Sequence, residues 1–191
     1  MNPFLTIWYK PRKTFLHIMK GEHPFVAEIV FAVCSGVNLA LELAINFDGI
    51  PGVDPSLTAY FSTVMGAVGG VLIWYFSSFV LFAFGRILGG KGSLKNVRRA
   101  YAWANIPSIL GFVYWIYLFA AYGTRIFDAA YFATQEPGIL MAAVPLTLLN
   151  LYTFFLLVRT QGAALNLGLF KSVVSIVIPL ILAAGISVLL V

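Results

Sequence analysis

The sequence has 191 residues, of which 61% are hydrophobic and only 10% are charged. Soluble globular domains carry about a quarter charged residues, so this composition argues against a soluble protein and favours a membrane protein. The formal net charge is +5, but the basic residues lie in short segments beside apolar stretches. Lipid head groups and membrane orientation therefore explain the charge, and no nucleic-acid partner is expected.

Five apolar stretches predict membrane-spanning helices, because a bilayer core about 30 Å thick needs roughly 20 mostly apolar residues per helix. The first begins after an interfacial segment of residues 1–24, lacks the short apolar core of a secretory signal, and is expected to be retained. The connections are too short for another domain, so the sequence predicts an all-α helical bundle that forms one membrane domain over residues 1–191. The predicted spans cover about residues 25–46, 60–84, 106–121, 138–158 and 172–191.

The positions of Lys and Arg predict the orientation. Eleven of the twelve precede the first span or lie between the second and third or the fourth and fifth spans, and only Arg125 lies elsewhere. Short loops rich in Lys and Arg stay in the cytoplasm. The N-terminus is therefore expected inside the cell and the C-terminus outside.

Two basic segments on the expected cytoplasmic side have the pattern of amphipathic helices. The first is Pro11–Lys20, where proline suits the first helical position, and the second covers residues 93–105, where Ser93 is a candidate N-cap. Each combines apolar and basic residues and is predicted to lie at the membrane interface. The alternative is that both are basic loops that only follow the orientation rule. The candidate contacts with anionic lipid or a partner are Arg12, Lys13, Lys20, Lys95, Arg98 and Arg99.

A polar stripe follows one side of the first span. Glu28 and Glu42 are 14 residues apart, close to four helical turns, with Ser35 midway and Asn46 beyond. Ionisable side chains within a span avoid lipid and are candidates for a functional site. The alternative is that each carboxylate lies near a membrane surface and meets water or a basic residue. The sequence therefore predicts a candidate intramembrane polar site at these four residues.

Small and amide side chains in other spans predict helix contacts. Gly66, Gly69 and Gly70 include the G-x-x-x-G spacing that allows close helix packing. We expect this part of the second span to cover the polar stripe of the first. Asn105 and Asn150 are expected to make hydrogen bonds between helices.

No catalytic, cofactor or metal motif is found. Residues 85–91 match the start of a phosphate-binding loop, but Gly92 stands where Ser or Thr should follow, and an apolar span precedes the segment instead of a strand. The two histidines lack further ligands at metal-binding spacing. The chain is therefore expected to be no enzyme and to bind no cofactor.

Three segments resemble a bacterial or archaeal member of the Yip1 family. They are residues 2–15, with Trp8 and Pro11; residues 89–107, from Gly89-Gly90 to Ile106-Pro107; and residues 161–179, from Gln161 to Pro179. The resemblance implies an α-helical bundle with a cytoplasmic N-terminus and no known catalytic activity. Eukaryotic relatives act in early secretory traffic and contact small GTPases through longer N-terminal regions with an Asp-Leu-x-Gly-Pro motif, which this sequence lacks. A prokaryotic plasma membrane is therefore the expected location.

Two functions follow from these observations. The first is a membrane organiser, trafficking factor or accessory partner of a membrane complex, which binds anionic head groups and a membrane protein or a second copy of the chain. The alternative is a small transporter, channel or lipid-moving protein that uses the polar stripe. A cavity lined by Glu28, Ser35 and Glu42 would favour transport, and a closed bundle would favour the partner role.

Overall fold

A computed structural model describes residues 2–21, 25–46, 52–128, 131 and 136–189 of the chain. These residues are helical with short connections, and no strand occurs among them, so the predicted all-α fold class is confirmed. Residues 22–24 of the predicted interfacial segment and residues 190–191 of the last predicted span lie outside the described residues. The helices are α1 (Pro3–Thr6), α2 (Pro11–Lys20), α3 (Phe25–Asn46), α4 (Pro55–Ile87), α5 (Leu94–Ala104), α6 (Pro107–Tyr122), α7 (Glu136–Leu165) and α8 (Leu169–Leu189), with a 3-10 helix at Gly123–Phe127.

Four helical stretches within the described residues are long and apolar enough to cross a membrane. The described apolar part of the last helix, Leu169–Leu182, is shorter than a span, so the count of five remains a prediction. The four stretches are Phe25–Asn46, Pro55–Ile87, Leu94–Phe127 and Val144–Leu165.

The helix α4 is longer than the span predicted at residues 60–84, because a polar cap starts it before the apolar run. The backbone N–H of Ser56 donates to Asp54 Oδ1 at 2.8 Å, and Pro55 occupies the first helical position. The hydroxyl of Ser56 also donates to Asp54 Oδ1. Hydrogen bonds from the Ser56 side chain and backbone hold the pKa of Asp54 below its ordinary value. A polar N-cap thus sets the boundary that hydropathy alone placed too late.

The chain divides into two compact units. Unit 1 comprises Met1–Glu28, Trp74–Ala104 and Phe154–Val191, and unit 2 comprises Ile29–Ile73 and Asn105–Thr153. The boundaries fall inside α3, α4 and α7, so these helices contribute residues to both units.

In unit 1, the N-terminal helices α1 and α2 pack against α5. Phe15 and Ile18 of α2 are fully buried, as are Val97 and Trp103 of α5. The ring of Phe4 lies 5.3 Å from that of Trp103. The predicted bounds of the α2 segment match the helix, but its most apolar residues pack inside the protein. Phe15 and Ile18 are therefore not available to the membrane, whereas Leu16 is exposed, and the interfacial location of the helix stays a prediction.

The second predicted amphipathic segment is α5. The Ser93 hydroxyl accepts a hydrogen bond from the Asn96 backbone N–H at 3.3 Å, as expected for an N-cap. Interhelical hydrogen bonds add polar contacts within unit 1. The Thr160 hydroxyl donates to the Ala100 carbonyl at 3.1 Å, and the Gln161 amide donates to the Leu81 carbonyl at 3.1 Å. Polar side chains of α7 thus satisfy backbone groups of α4 and α5.

Unit 2 has its own apolar core, which includes Val37 and Leu41 of α3 and Trp115 of α6. The Trp115 ring stacks on Phe127 with centroids 6.5 Å apart and an interplanar angle of 8°. Leu146 of α7 completes this cluster. The core fixes one side of α3 and leaves its polar side toward α6 and α7.

Candidate functional site

Glu28 lies in unit 1 and is held by an ion pair. The Arg99 Nε atom of α5 is 3.3 Å from Glu28 Oε1, and only 3% of the Glu28 side chain and 16% of the Arg99 side chain are exposed. A buried carboxylate requires such a partner, because an uncompensated buried charge is strongly destabilising. A basic partner was one of the two expectations for Glu28, and in the structure that partner is Arg99.

Three other polar residues of α3 face a cavity in unit 2. Ser35, Asn38 and Glu42 are three and four residues apart, so they share one face of the helix. The cavity has a volume of about 200 Å³. Its polar lining comes from α3, from α7, from α6 and from the connection that precedes α6: Ser35, Asn38, Glu42, Asn105, Ser108, Asn150 and Thr153.

Hydrogen bonds fix the polar lining. The Ser35 hydroxyl donates to Asn105 Oδ1 at 2.9 Å, and Asn38 Nδ2 donates to the Ser108 carbonyl at 2.8 Å. Asn150 Nδ2 lies 3.2 and 3.1 Å from the two carboxylate oxygens of Glu42. The expected interhelical hydrogen bonds of Asn105 and Asn150 are therefore confirmed. They tie α3 to the start of α6 and to α7.

Two oxygen-bearing groups of the cavity keep unused acceptor capacity. Asn38 is only 8% exposed, yet its Oδ1 atom has no hydrogen-bond partner among the described residues. The Glu42 carboxylate receives the amide nitrogen of Asn150, whereas Glu28 is paired with Arg99. An ionised carboxylate in a bilayer core costs roughly 2.5 kcal/mol or more when it faces lipid. The cavity therefore presents a carboxyl group and a buried amide oxygen that is free to accept a hydrogen bond or a cation.

The predicted stripe is divided between different environments. Ser35 and Glu42 line the unit 2 cavity, whereas Glu28 belongs to unit 1 and is paired with Arg99. Asn46 is the exposed last residue of α3 and is not part of the lining. Asn38 was missed, although its position between Ser35 and Glu42 on the same face was a usable signal.

The glycines of α4 pack against a different face of α3 from the one predicted. A Cβ atom built on Gly36 would lie 2.2 Å from the Gly66 carbonyl oxygen and 2.3 Å from Gly70 Cα. Ala32 and Ala40 lie beside the same contact, whereas a Cβ on Gly69 would meet nothing within 4 Å. The expectation that this part of α4 covers the polar stripe is wrong. Small residues on both helices bring the backbones together. The polar face instead meets the side-chain amides of Asn105 and Asn150 and the backbone carbonyl of Ser108.

The six candidate basic contacts, all in unit 1, fall into two groups. Four are exposed, namely Arg12, Lys13, Lys20 and Lys95. The other two are engaged within the unit. The Arg98 guanidinium lies 5.0 Å from the centre of the Tyr75 ring and 5.7 Å from that of Trp74, and Arg99 is paired with Glu28.

Long apolar helices joined by short connections define a polytopic α-helical membrane protein. The chain matches the Yip1 domain over residues 5–191, which is nearly its whole length. It therefore belongs to the Yip1 family, and the resemblance found in the sequence is confirmed. No curated protein and no solved structure matches the chain.

Proposed function

We propose that this protein is a non-enzymatic membrane organiser, trafficking factor or accessory partner of a membrane complex, and that its basic side binds anionic lipid head groups. The observation that supports this proposal is the separation of charge. Unit 1 contains eleven basic and two acidic residues, whereas unit 2 contains one basic and five acidic residues. The net charges are therefore +9 and −4.

The helix α2 supports the lipid-binding part of the proposal. Its buried residues Phe15 and Ile18 pack against α5, while Arg12, Lys13 and Lys20 are exposed. The three cations are thus held on a helix that is already fixed to the protein. Each basic residue near an anionic surface contributes about 1 kcal/mol, so no further ordering of this segment is needed for attraction.

The proposed location is the plasma membrane of a prokaryote, with five spans, a cytoplasmic N-terminus and an outer C-terminus. The basic segments before α3 and between α4 and α6 support this orientation. In a Cys34→Ala background, Lys91→Cys is expected to react with a membrane-impermeant thiol reagent only from the cytoplasmic side. Asp128→Cys is expected to react only from outside, and the reverse pattern would refute the orientation.

Lipid retention by the full chain tests the proposed function. Purified protein in nanodiscs that contain phosphatidylglycerol and phosphatidylcholine is expected to retain the anionic lipid preferentially on transfer to detergent, and to lose the preference at high salt. The triple substitution Arg12→Gln, Lys13→Gln and Lys20→Gln is expected to weaken the preference by roughly tenfold or more. The matched control, Arg12→Lys with Lys13→Arg and Lys20→Arg, should keep it. Equal retention of both lipids by the unaltered protein would refute the proposal.

The unit 2 cavity favours a second function, transport of a small polar solute or ion. It is lined by Ser35 and Glu42 but not by Glu28, so it supports the transport hypothesis in part. In reconstituted vesicles, Glu42→Gln should abolish any protein-dependent flux, whereas Asn46→Leu, outside the cavity, should not. Flux that survives Glu42→Gln would remove this candidate.

A further inference from the structure

The oxygen atoms of the unit 2 cavity have more acceptor capacity than the neighbouring donors use. Asn38 Oδ1 is buried and has no partner among the described residues. Buried polar atoms in native structures nearly always have a partner, so an isolated one indicates a bound water or ion. Among the described residues, the carboxylate of Glu42 receives a neutral amide group, that of Asn150.

Four donor groups of the lining, on Ser35, Asn38, Ser108 and Asn150, make hydrogen bonds within the protein. The Ser35 hydroxyl hydrogen is used on Asn105, and Asn38 Nδ2 is used on the Ser108 carbonyl. A hydroxyl oxygen that donates its hydrogen still has lone pairs to offer. Ser35, Asn38 and Glu42 therefore present three oxygen donor groups from one face of α3.

We propose that this cavity binds one small monovalent cation, either an alkali metal ion or a primary ammonium group. The Glu42 carboxylate, Asn38 Oδ1 and Ser35 Oγ are its ligands, because carboxylate, carbonyl and hydroxyl oxygens are the groups that hard cations prefer. One carboxylate balances one positive charge. A calcium ion takes six to eight oxygen ligands, often several carboxylates, and no group of three or more His, Cys, Asp and Glu side chains occurs among the described residues.

This inference goes beyond the proposed lipid binding and does not depend on it. It is also independent of transport, because a cation held permanently in the cavity would stabilise unit 2 without crossing the membrane. A ligand that binds only the folded state raises its stability with concentration. Cation binding therefore has a readout in the unfolding temperature as well as in direct binding.

The experiment uses the full chain in neutral-lipid nanodiscs at constant ionic strength. Lithium, sodium, potassium and methylammonium chlorides each replace choline chloride, a bulky quaternary ammonium salt whose nitrogen has no N–H to donate. Thermal unfolding is followed by tryptophan fluorescence, and binding is measured by equilibrium dialysis. At least one small cation is expected to raise the unfolding temperature saturably and to bind at one per chain. Saturation by methylammonium alone identifies an ammonium ligand, and saturation by an alkali ion identifies a metal ion.

Two substitutions and a matched control assign the site. Glu42→Gln and Asn38→Leu are each expected to raise the cation concentration at half-saturation by roughly tenfold or more. Asn46→Leu removes an exposed amide on the same helix, outside the cavity, and should leave binding unchanged. Half-saturation that is unchanged in both cavity variants would overturn the proposal. If either variant fails to fold, cation binding to the unaltered protein still tests the proposal. Absence of saturable binding for all four cations would mean that the cavity holds only water, and it would overturn the proposal. Lipid retention by Glu42→Gln is expected to be normal, so failure here is distinguishable from failure of the proposed function.

Discussion

The contact between α3 and α4 at Gly36 gives a sharp test of the unit 2 packing. In Gly36→Ala the new Cβ would lie 2.2 Å from the Gly66 carbonyl oxygen and 2.3 Å from Gly70 Cα. Real Cβ contacts shorter than 3.0 Å are essentially absent. Both obstacles are backbone atoms, so no side-chain rotation relieves the clash. The two helices must move apart by about 1 Å, and a gap of this size forfeits roughly a quarter to a half of each dispersion contact.

Two opposing contributions set the magnitude. Alanine in place of an interior helical glycine gains about 1 kcal/mol of helix propensity. Overpacking of a tight contact costs typically about 1–3 kcal/mol and sometimes more, and here rigid backbone meets the added atom. We expect the cost to exceed the gain, so that Gly36→Ala lowers the free energy of unfolding by about 1–2 kcal/mol.

Gly69→Ala is the matched control, because it makes the same chemical change in α4 where nothing lies within 4 Å of the new Cβ. It should be neutral or stabilising by up to about 1 kcal/mol. Unfolding of both full-length variants by a denaturing detergent, followed by tryptophan fluorescence, gives the difference. Equal stability of Gly36→Ala and Gly69→Ala would refute the backbone contact between α3 and α4.

Three further substitutions test other contacts by the same unfolding assay. Arg99→Met is expected to lower the free energy of unfolding by about 3–5 kcal/mol, because it leaves Glu28 buried without its cation. Adding Glu28→Gln should recover part of this loss. Strictly additive effects of the two substitutions would contradict the ion pair. Phe15→Ala is expected to lower the free energy of unfolding by about 3–5 kcal/mol, whereas Leu16→Ala, at an exposed position, should lower it much less. Equal losses in the two variants would contradict the burial of Phe15 inside the protein. Asp54→Ala should lower the unfolding temperature, whereas Asp54→Ser should largely keep it unchanged, because serine can also act as an N-cap. Because the pKa of Asp54 is lowered in the folded protein, this contribution is present at neutral pH and is lost only as the pH falls through that pKa. An unchanged unfolding temperature in Asp54→Ala would exclude the cap.

Hydropathy predicts most of the fold because the bilayer imposes both length and composition on each helix. The bounds of α2 and α3 agree with the sequence analysis, and the Ser93 cap starts α5 as expected. The boundary error at α4 has a local cause, since Asp54 and Ser56 are polar and extend the helix beyond its apolar run. Local hydrogen bonding, which hydropathy does not see, decides where that helix begins.

Partners across helices were harder to predict than the helices themselves. Glu28 and Glu42 are 14 positions apart, which corresponds to about 21 Å of helix. Two side chains so far apart share a direction but meet different neighbours. Helical periodicity therefore identified the face correctly and gave no information on what each end contacts. Arg99 at one end and Asn150 at the other became apparent only from the tertiary structure.

The sequence of α3 also contains a small-residue pattern that predicts where α4 packs. Ala32, Gly36 and Ala40 recur every four residues, which is the small-residue pattern that permits close helix packing. This stripe lies beside the polar one and is the face that meets Gly66 and Gly70. Matching small residues to small residues would have assigned α4 to that face. The polar face would then have been left for the hydroxyl and amide groups of other helices.

The different states of Glu28 and Glu42 follow from the separation of charge. Glu28 belongs to the unit that holds eleven of the twelve basic residues, and Arg99 neutralises it. Glu42 belongs to the unit whose single basic residue is the exposed Arg125, and its observed partner is a neutral amide. Unit 2 thus has few cations of its own that could pair with Glu42. This shortage is the reason why the proposed ligand of its cavity is a cation from outside the chain.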